Sequence, residues 1–233
     1  MNRLPSCCAP LQHHWPLPRA VPGAALVSCS FDPAQLAADD FVLAGIEHTS
    51  SLQRSVAKRQ AEYLAGRVCA RAALQALDGR EYAPGTGEDR APIWPSDISG
   101  SITHSHGWAA AVVAPNHQCA GIGLDQETLL SHERAQRLAA EILTADELHR
   151  MDPDLAALAV TLTFSLKESL FKALYPIVQQ RFYFEHAEVL EWSINGHARL
   201  RLLKDLSTDW RQGHELEGQF SVQNDQVLTL ISV

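Results

Sequence analysis

The sequence predicts an α+β fold in which both halves mix helices with a short antiparallel sheet. Three observations carry this reading. Each half holds one long stretch with helical apolar periodicity, from about Ser51 to Leu77 and over 155–175. Short alternating segments joined by tight turns, at Ser105-His106-Gly107 and Asn195-Gly196, accompany those stretches. A turn at Pro115-Asn116-His117 divides the chain, whose 233 residues suit one large domain or two small lobes.

In chain order, residues 1–22 carry scattered prolines and His13-His14-Trp15 and read as a mobile or loosely docked tail, with no apolar stretch of the kind a secretory signal needs. Ala24 to Phe31 is a candidate strand, and Pro33 to Glu47 is helical or irregular. The first long helix has Thr49, Ser50 and Ser51 to cap it, Asp78-Gly79 to stop it, and Val56, Tyr63, Ala70, Leu74 and Leu77 as its inner stripe. Tyr82 to Asp89 is loop, and Ser99–His104 with Trp108–Ala114 form a strand pair. The second half opens with a strand over Cys119–Glu127. Helices follow near 132–140, 144–150 and 155–175, the last ended by Pro176. Alternating segments over Glu188–Ile194, Ala198–Leu203, Gly218–Val222 and Val227–Val233 close the chain. The expected organisation is a tail over 1–22, an N-terminal lobe over 23–116 and a C-terminal lobe over 117–233.

Composition narrows the function. A hydrophobic fraction of 46% is that of a soluble globular protein, and no apolar run approaches a membrane span. A net charge of −8 argues against general nucleic-acid binding. Cys7, Cys8, Cys29, Cys69 and Cys119 lack paired metal spacing, and reduced thiols in a cytoplasmic protein account for them most simply.

The chemistry concentrates in two segments. Cys119-Ala120-Gly121-Ile122-Gly123-Leu124 reads as a buried strand that ends in Asp125-Gln126-Glu127. Side chains two apart on a strand share a face, so Asp125 and Glu127 present two carboxylates together while Gln126 turns away. On the helix that follows, Phe164, Glu168 and Lys172 fall four apart in one stripe, between Leu166, Leu170, Ala173 and Leu174 on one side and Phe171 and Tyr175 on the other. A helix apolar nearly all round is buried, so Glu168 and Lys172 need partners there. Three carboxylates suit a hard divalent cation, and a lysine one turn away suits a phosphate. The chain has only four lysines, and Lys167 and Lys172 are two of them.

Gly-Ile-Gly-Leu-Asp-Gln-Glu followed by Phe-Ser-Leu-Lys-Glu-Ser-Leu-Phe-Lys-Ala resembles the paired motif of the 4′-phosphopantetheinyl transferases. The similarity is greatest to the monomeric, two-lobed type of the enterobactin-synthetase branch. Lys58-Arg59 with Glu62-Tyr63-Leu64-Ala65-Gly66-Arg67, then Ala91-Pro92-Ile93-Trp94-Pro95, then Gly100-Ser101-Ile102-Thr103-His104-Ser105, match it in order. The matches span Lys58 to about Pro176, and the first and last fifty residues carry no diagnostic motif.

The resemblance implies two similar lobes, a pseudo-dimer with the site in the cleft between them. It implies transfer of the phosphopantetheine arm of coenzyme A to a serine of an apo acyl, peptidyl or polyketide carrier protein, with release of adenosine 3′,5′-bisphosphate. Asp125, Glu127 and Glu168 become the set for Mg²⁺, with Mn²⁺ as a substitute. Glu168 is also the general base, acting directly or through a metal-bound water, and Lys172 the contact to the pyrophosphate, with Lys167 assisting or reaching solvent. Arg59, Arg67, Arg90, Thr103 and His104 serve the nucleotide end, and Asp125 lies against coenzyme A as well; Trp94 is expected to pack. Arg54, Lys58, Arg59, Arg67 and Arg71 are candidates for a basic patch, and Arg134 and Arg137 are weaker candidates for drawing an acidic carrier. Two rival readings are a metal-dependent hydrolase built on His104-Ser105-His106 and a catalytically silent carrier-binding scaffold.

Overall fold

The computed structural model describes residues 3–233, which divide into two units. One takes Pro22–Gln118 with the described part of Met1–Trp15; the other takes Cys119–Val233 with Pro16–Val21. Each mixes helices with antiparallel strands.

The first unit is built from strands β1 (Gln12–His13), β2 (Ala25–Ser30), β3 (Gly85–Thr86), β4 (Pro92–Ile93), β5 (Ile98–Ser105) and β6 (Trp108–Pro115), with helices α1 (Asp40–Ala44), α2 (Ser50–Gln53) and α3 (Ala57–Asp78). Its main sheet has the order β1-β2-β6-β5, all antiparallel, and β3 and β4 pair separately. The β5–β6 turn uses His106 and Gly107, both at positive φ, as a two-residue hairpin requires. Helix α3 lies on this sheet through small residues: Ala61, Ala65, Ala70 and Ala73 are fully buried beside Leu64 and Leu74. At Gly66 a Cβ would sit 2.8 Å from Ile102 Cγ2, so a larger residue would push helix and strand apart.

Two expectations for this unit need correction. The helix read from Ser51 to Leu77 is interrupted: Thr49 caps α2, and Val56 is extended at the N-cap of α3. Val56 is 73% exposed and leaves the inner stripe, because the alanine face approaches the sheet most closely and sets the helix rotation. The N-terminal residues are also no loose tail. Cys7 and Cys8 are buried, Ala9 N–H donates to Ser30 O, and β1 pairs with β2. Added edge pairing and buried thiols hold this segment down despite its prolines.

The second unit holds β7 (Ile122–Thr128), α4 (His132–Ile142), α5 (Ala145–Arg150), α6 (Ala156–Val178), β8 (Ala187–Ser193), β9 (His197–Leu202), β10 (Glu215–Gln223) and β11 (Gln226–Ser232). The sheet order is β7-β11-β10-β9-β8, antiparallel throughout. Gly196, at φ 83, makes the expected turn between β8 and β9. Leu162, Leu166, Leu170 and Leu174 of α6 are fully buried in the core against β9 and β11 residues such as Leu200 and Ile231. Pro176 does not end α6. The helix runs to Val178 and closes where Gln179, at φ 52, donates its N–H to Tyr175 O. Among the described residues no helix is long and apolar enough to cross a membrane.

Candidate active site

Two glycines bring the carboxylates to the helix. On β7 a Cβ at Gly123 would lie 1.8 Å from Ser169 O, and one just before the strand, at Gly121, would lie 2.3 Å from Ala173 O. Only glycine lets this strand lie against the α6 backbone. Alternation then turns the same face of Asp125 and Glu127 toward α6. Asp125 is 5% exposed; its Oδ1 accepts from Lys172 Nζ at 2.7 Å and its Oδ2 from Ser165 Oγ at 2.8 Å. Lys172 Nζ also donates to Leu124 O at 3.0 Å. Gln126 faces the other way and donates to Gln226 Oε1 at 3.2 Å.

The electrostatics couple all three carboxylates. Burial pushes Glu127 up to about 7, with Asp125 and Glu168 raising it further and Lys172 and Arg134 opposing. Burial likewise raises Glu168; Lys172 draws it back and Asp125 adds to the rise. Once all three are ionised, one ammonium among three carboxylates leaves negative charge that a divalent cation would offset, and the donors are all oxygen, as Mg²⁺ prefers. In donor type and charge the residues fit such an ion. They are not yet gathered around one: among the described residues no three His, Cys, Asp or Glu side chains are grouped to hold a metal. Lys172 instead occupies one oxygen of Asp125.

This charge has a measurable consequence for stability. Folded Glu127 holds its proton up to about pH 7, whereas the unfolded group releases it near its ordinary value of 4.5. The folded state therefore binds more protons between those values, and stability falls as pH rises through that window. In chelator, the melting temperature should drop between about pH 5 and pH 8, and Glu127→Gln should flatten the slope and melt higher at pH 8. Equal slopes for the two proteins would remove Glu127 from the charge cluster.

Other expected site residues are dispersed. On the first unit, Arg59 Nη1 donates to His104 Nε2 at 3.1 Å, and Glu62 Oε2 lies 3.7 Å from Arg59 Nη1 and 3.8 Å from His104 Nδ1. Lys58 reaches the same carboxylate at 4.0 Å. Thr103 is buried on β5 and, one residue from His104, points to the opposite face, so the two side chains do not converge on one phosphate. Arg67 is 7% exposed, stacks over the Tyr63 ring at 4.4 Å and donates to Thr86 Oγ1 at 3.0 Å, which makes it an anchor for β3 instead of an open phosphate contact. Arg71 donates to Ala44 O and is partly buried, so the basic patch reduces to Arg54, Lys58 and Arg59. Arg90 is exposed in the β3–β4 turn at φ 73. Trp94 packs, its ring 2.6 Å from where a Cβ at Gly100 would be.

Lys167 is a further correction. It is 3% exposed, and its ammonium donates to Ile142 O, Glu147 Oε2 and Phe184 O at 2.9, 2.7 and 3.0 Å. Three donors with three acceptors leave nothing for coenzyme A or solvent. The hydrolase reading fails on geometry as well, because β5 ends at Ser105 and His106 sits in the turn at φ 45. Sequence reasoning missed Ser165, the second partner of Asp125; its position two turns before Lys172 on the same helix face was the available signal.

The N-terminal domain model of the 4′-phosphopantetheinyl transferases matches residues 47–114, and the 4′-phosphopantetheinyl transferase superfamily model matches 121–231. The chain belongs to this family. Enterobactin synthase component D of Escherichia coli K12 is 38% identical over 182 residues, covering 77% of this chain and 83% of that protein. The protein of that name in Salmonella typhimurium LT2 is 34% identical over 224 residues, 95% and 91% of the two chains. The 4′-phosphopantetheinyl transferase Svp of Streptomyces mobaraensis is 33% identical over 199 residues, 80% and 77%. The transferase thus sits in the branch of the enterobactin synthase D proteins and moves the phosphopantetheine group to carrier proteins. Nothing supports the hydrolase or the silent scaffold.

Proposed function

We propose that the protein transfers the 4′-phosphopantetheine arm of coenzyme A to a serine hydroxyl of an apo carrier protein, in the cytoplasm and as a monomer. The apposition of β7 and α6, with Lys172 on Asp125 at 2.7 Å and Glu168 and Glu127 beside them, is the observation that carries this. Glu168 takes the serine proton; its raised affinity for protons suits a base working near neutral pH. Lys172 turns from Asp125 to the pyrophosphate and stabilises the departing charge. Asp125, Glu127 and Glu168 would hold the divalent cation, which supplies charge compensation for the phosphates.

Arg59 and His104, already within hydrogen-bond distance, read the 3′-phosphate. Arg59 and His104 belong to the first unit and Glu168 to the second. Arg59→Ala and His104→Ala should each weaken coenzyme A binding by about 1.5–3 kcal/mol and abolish the preference for coenzyme A over dephospho-coenzyme A. Calorimetric titration with both ligands checks this, and an unchanged preference assigns the two residues elsewhere.

The relatives named for enterobactin synthase suggest peptidyl carriers of a siderophore pathway as the first acceptors to try. The deciding test incubates the protein with coenzyme A, Mg²⁺ and a panel of apo carriers and reads the mass gain of the arm. No gain on any carrier would overturn the proposal.

A further inference from the structure

The buried pair Glu147–Lys167 stands one residue from Glu168 and outside the chemistry assigned so far. Glu147 is 6% exposed. Besides the 2.7 Å contact from Lys167 to its Oε2, it accepts from Thr144 N at 2.7 Å and, through Oε1, from Val189 N at 2.6 Å. Lys167 adds bonds to Ile142 O at the end of α4 and to Phe184 O. Five directional bonds therefore tie α4, the start of α5, β8, α6 and the 184 turn to one point.

That point borders a recess lined by Glu168, Phe171, Phe182 and Phe184. Glu168 lines it from α6, and Phe184, whose carbonyl Lys167 holds, lines it from another segment of the chain. A buried ion pair is weak support for stability alone, since apolar residues of like volume often replace it at no loss. What it adds over apolar packing is direction: side chains packed by dispersion slide, whereas charge-assisted bonds hold one register.

We propose that Glu147 and Lys167 are positioning residues for the transfer reaction, fixing the separation of the recess walls and the place of Glu168 in it. The proposal rests on the transfer reading above. Neither residue touches substrate; both act through Glu168.

The test compares wild type, the charge-free double variant Glu147→Gln/Lys167→Met and the conservative Glu147→Asp. For each, kcat, KM for coenzyme A and the melting temperature are measured with saturating apo carrier and Mg²⁺. Displacing a base by about an ångström lowers kcat on the order of 10- to 100-fold. The double variant should show that loss with KM within about twofold of wild type and a near-native melting temperature. Glu147→Asp, which keeps the charge at shorter reach, should fall between the two. A folded double variant with kcat within about twofold of wild type overturns the proposal. So does a raised KM with kcat intact, which would make Lys167 a coenzyme A contact. Should the double variant not fold, Glu147→Asp decides by the same two criteria. Inactive wild type sinks the transfer reading, and the positioning role with it; active wild type with unaffected variants sinks the positioning role alone.

Discussion

Asp125→Ala is expected to abolish arm transfer while the protein stays folded. The aspartate is 5% exposed and makes two side-chain bonds, to Ser165 and Lys172. Its removal leaves neither partner stranded. Ser165 Oγ still lies 2.9 Å from Thr229 Oγ1, and Lys172 Nζ still donates to Leu124 O from a side chain 28% exposed. The fold therefore loses little. On the proposed reading the chemistry loses one of three carboxylates for the cation and the group that orients Lys172. Loss of one preorganised electrostatic contact lowers kcat by about 10²–10³-fold, and here two are lost together. Exhaustive chelation of the wild type should have the same effect, with Mn²⁺ restoring activity as Mg²⁺ does. The checks are mass spectrometry of the carrier and thermal melting of the variant. Wild-type turnover in Asp125→Ala, or full transfer after chelation, would refute the metal role.

Glu168→Gln should lower kcat by about 10²–10⁴-fold, the usual contribution of a positioned base. Coenzyme A should still bind, because the proposed nucleotide contacts, Arg59 and His104, do not depend on Glu168. Glutamine has the shape of protonated glutamate, the form that burial and the Asp125 charge favour in the metal-free protein. Packing is kept for that reason, and the variant should melt no lower than wild type in chelator at pH 8. The informative pair of measurements is single-turnover transfer and calorimetric binding. Lost binding with intact single-turnover chemistry would take Glu168 out of the base role and leave it a ligand.

Much of the architecture could be read along the chain because it depends on local rules. Alternation puts Asp125 and Glu127 on one strand face, and the 3.6-residue period sets Glu168 and Lys172 on one stripe. Asn195-Gly196 marks a hairpin because glycine takes the positive φ the turn needs without strain, as Gly196 does. The inner stripe of α3 was misplaced at Val56 because alanines, which carry little hydrophobic weight, are what let that helix reach its sheet. Pro176 was expected to end α6, but the last turn closes beyond it through Gln179.

By itself the sequence determined the type and order of most elements, the face shared by the two β7 carboxylates, and a family resemblance strong enough to name the reaction. Each of these rests on residues a few positions apart or on motifs read as words. Only the tertiary structure decided which charge meets which. Lys167 and Lys172 are alike in sequence and five residues apart, yet one is spent on Glu147 and two carbonyls while the other reaches Asp125. Arg67 turned inward to Tyr63 and Thr86, while Arg59 met His104 on a strand 45 residues away. Coulombic and hydrogen-bond energies depend on distance and burial in the folded chain, and no spacing along the sequence encodes either.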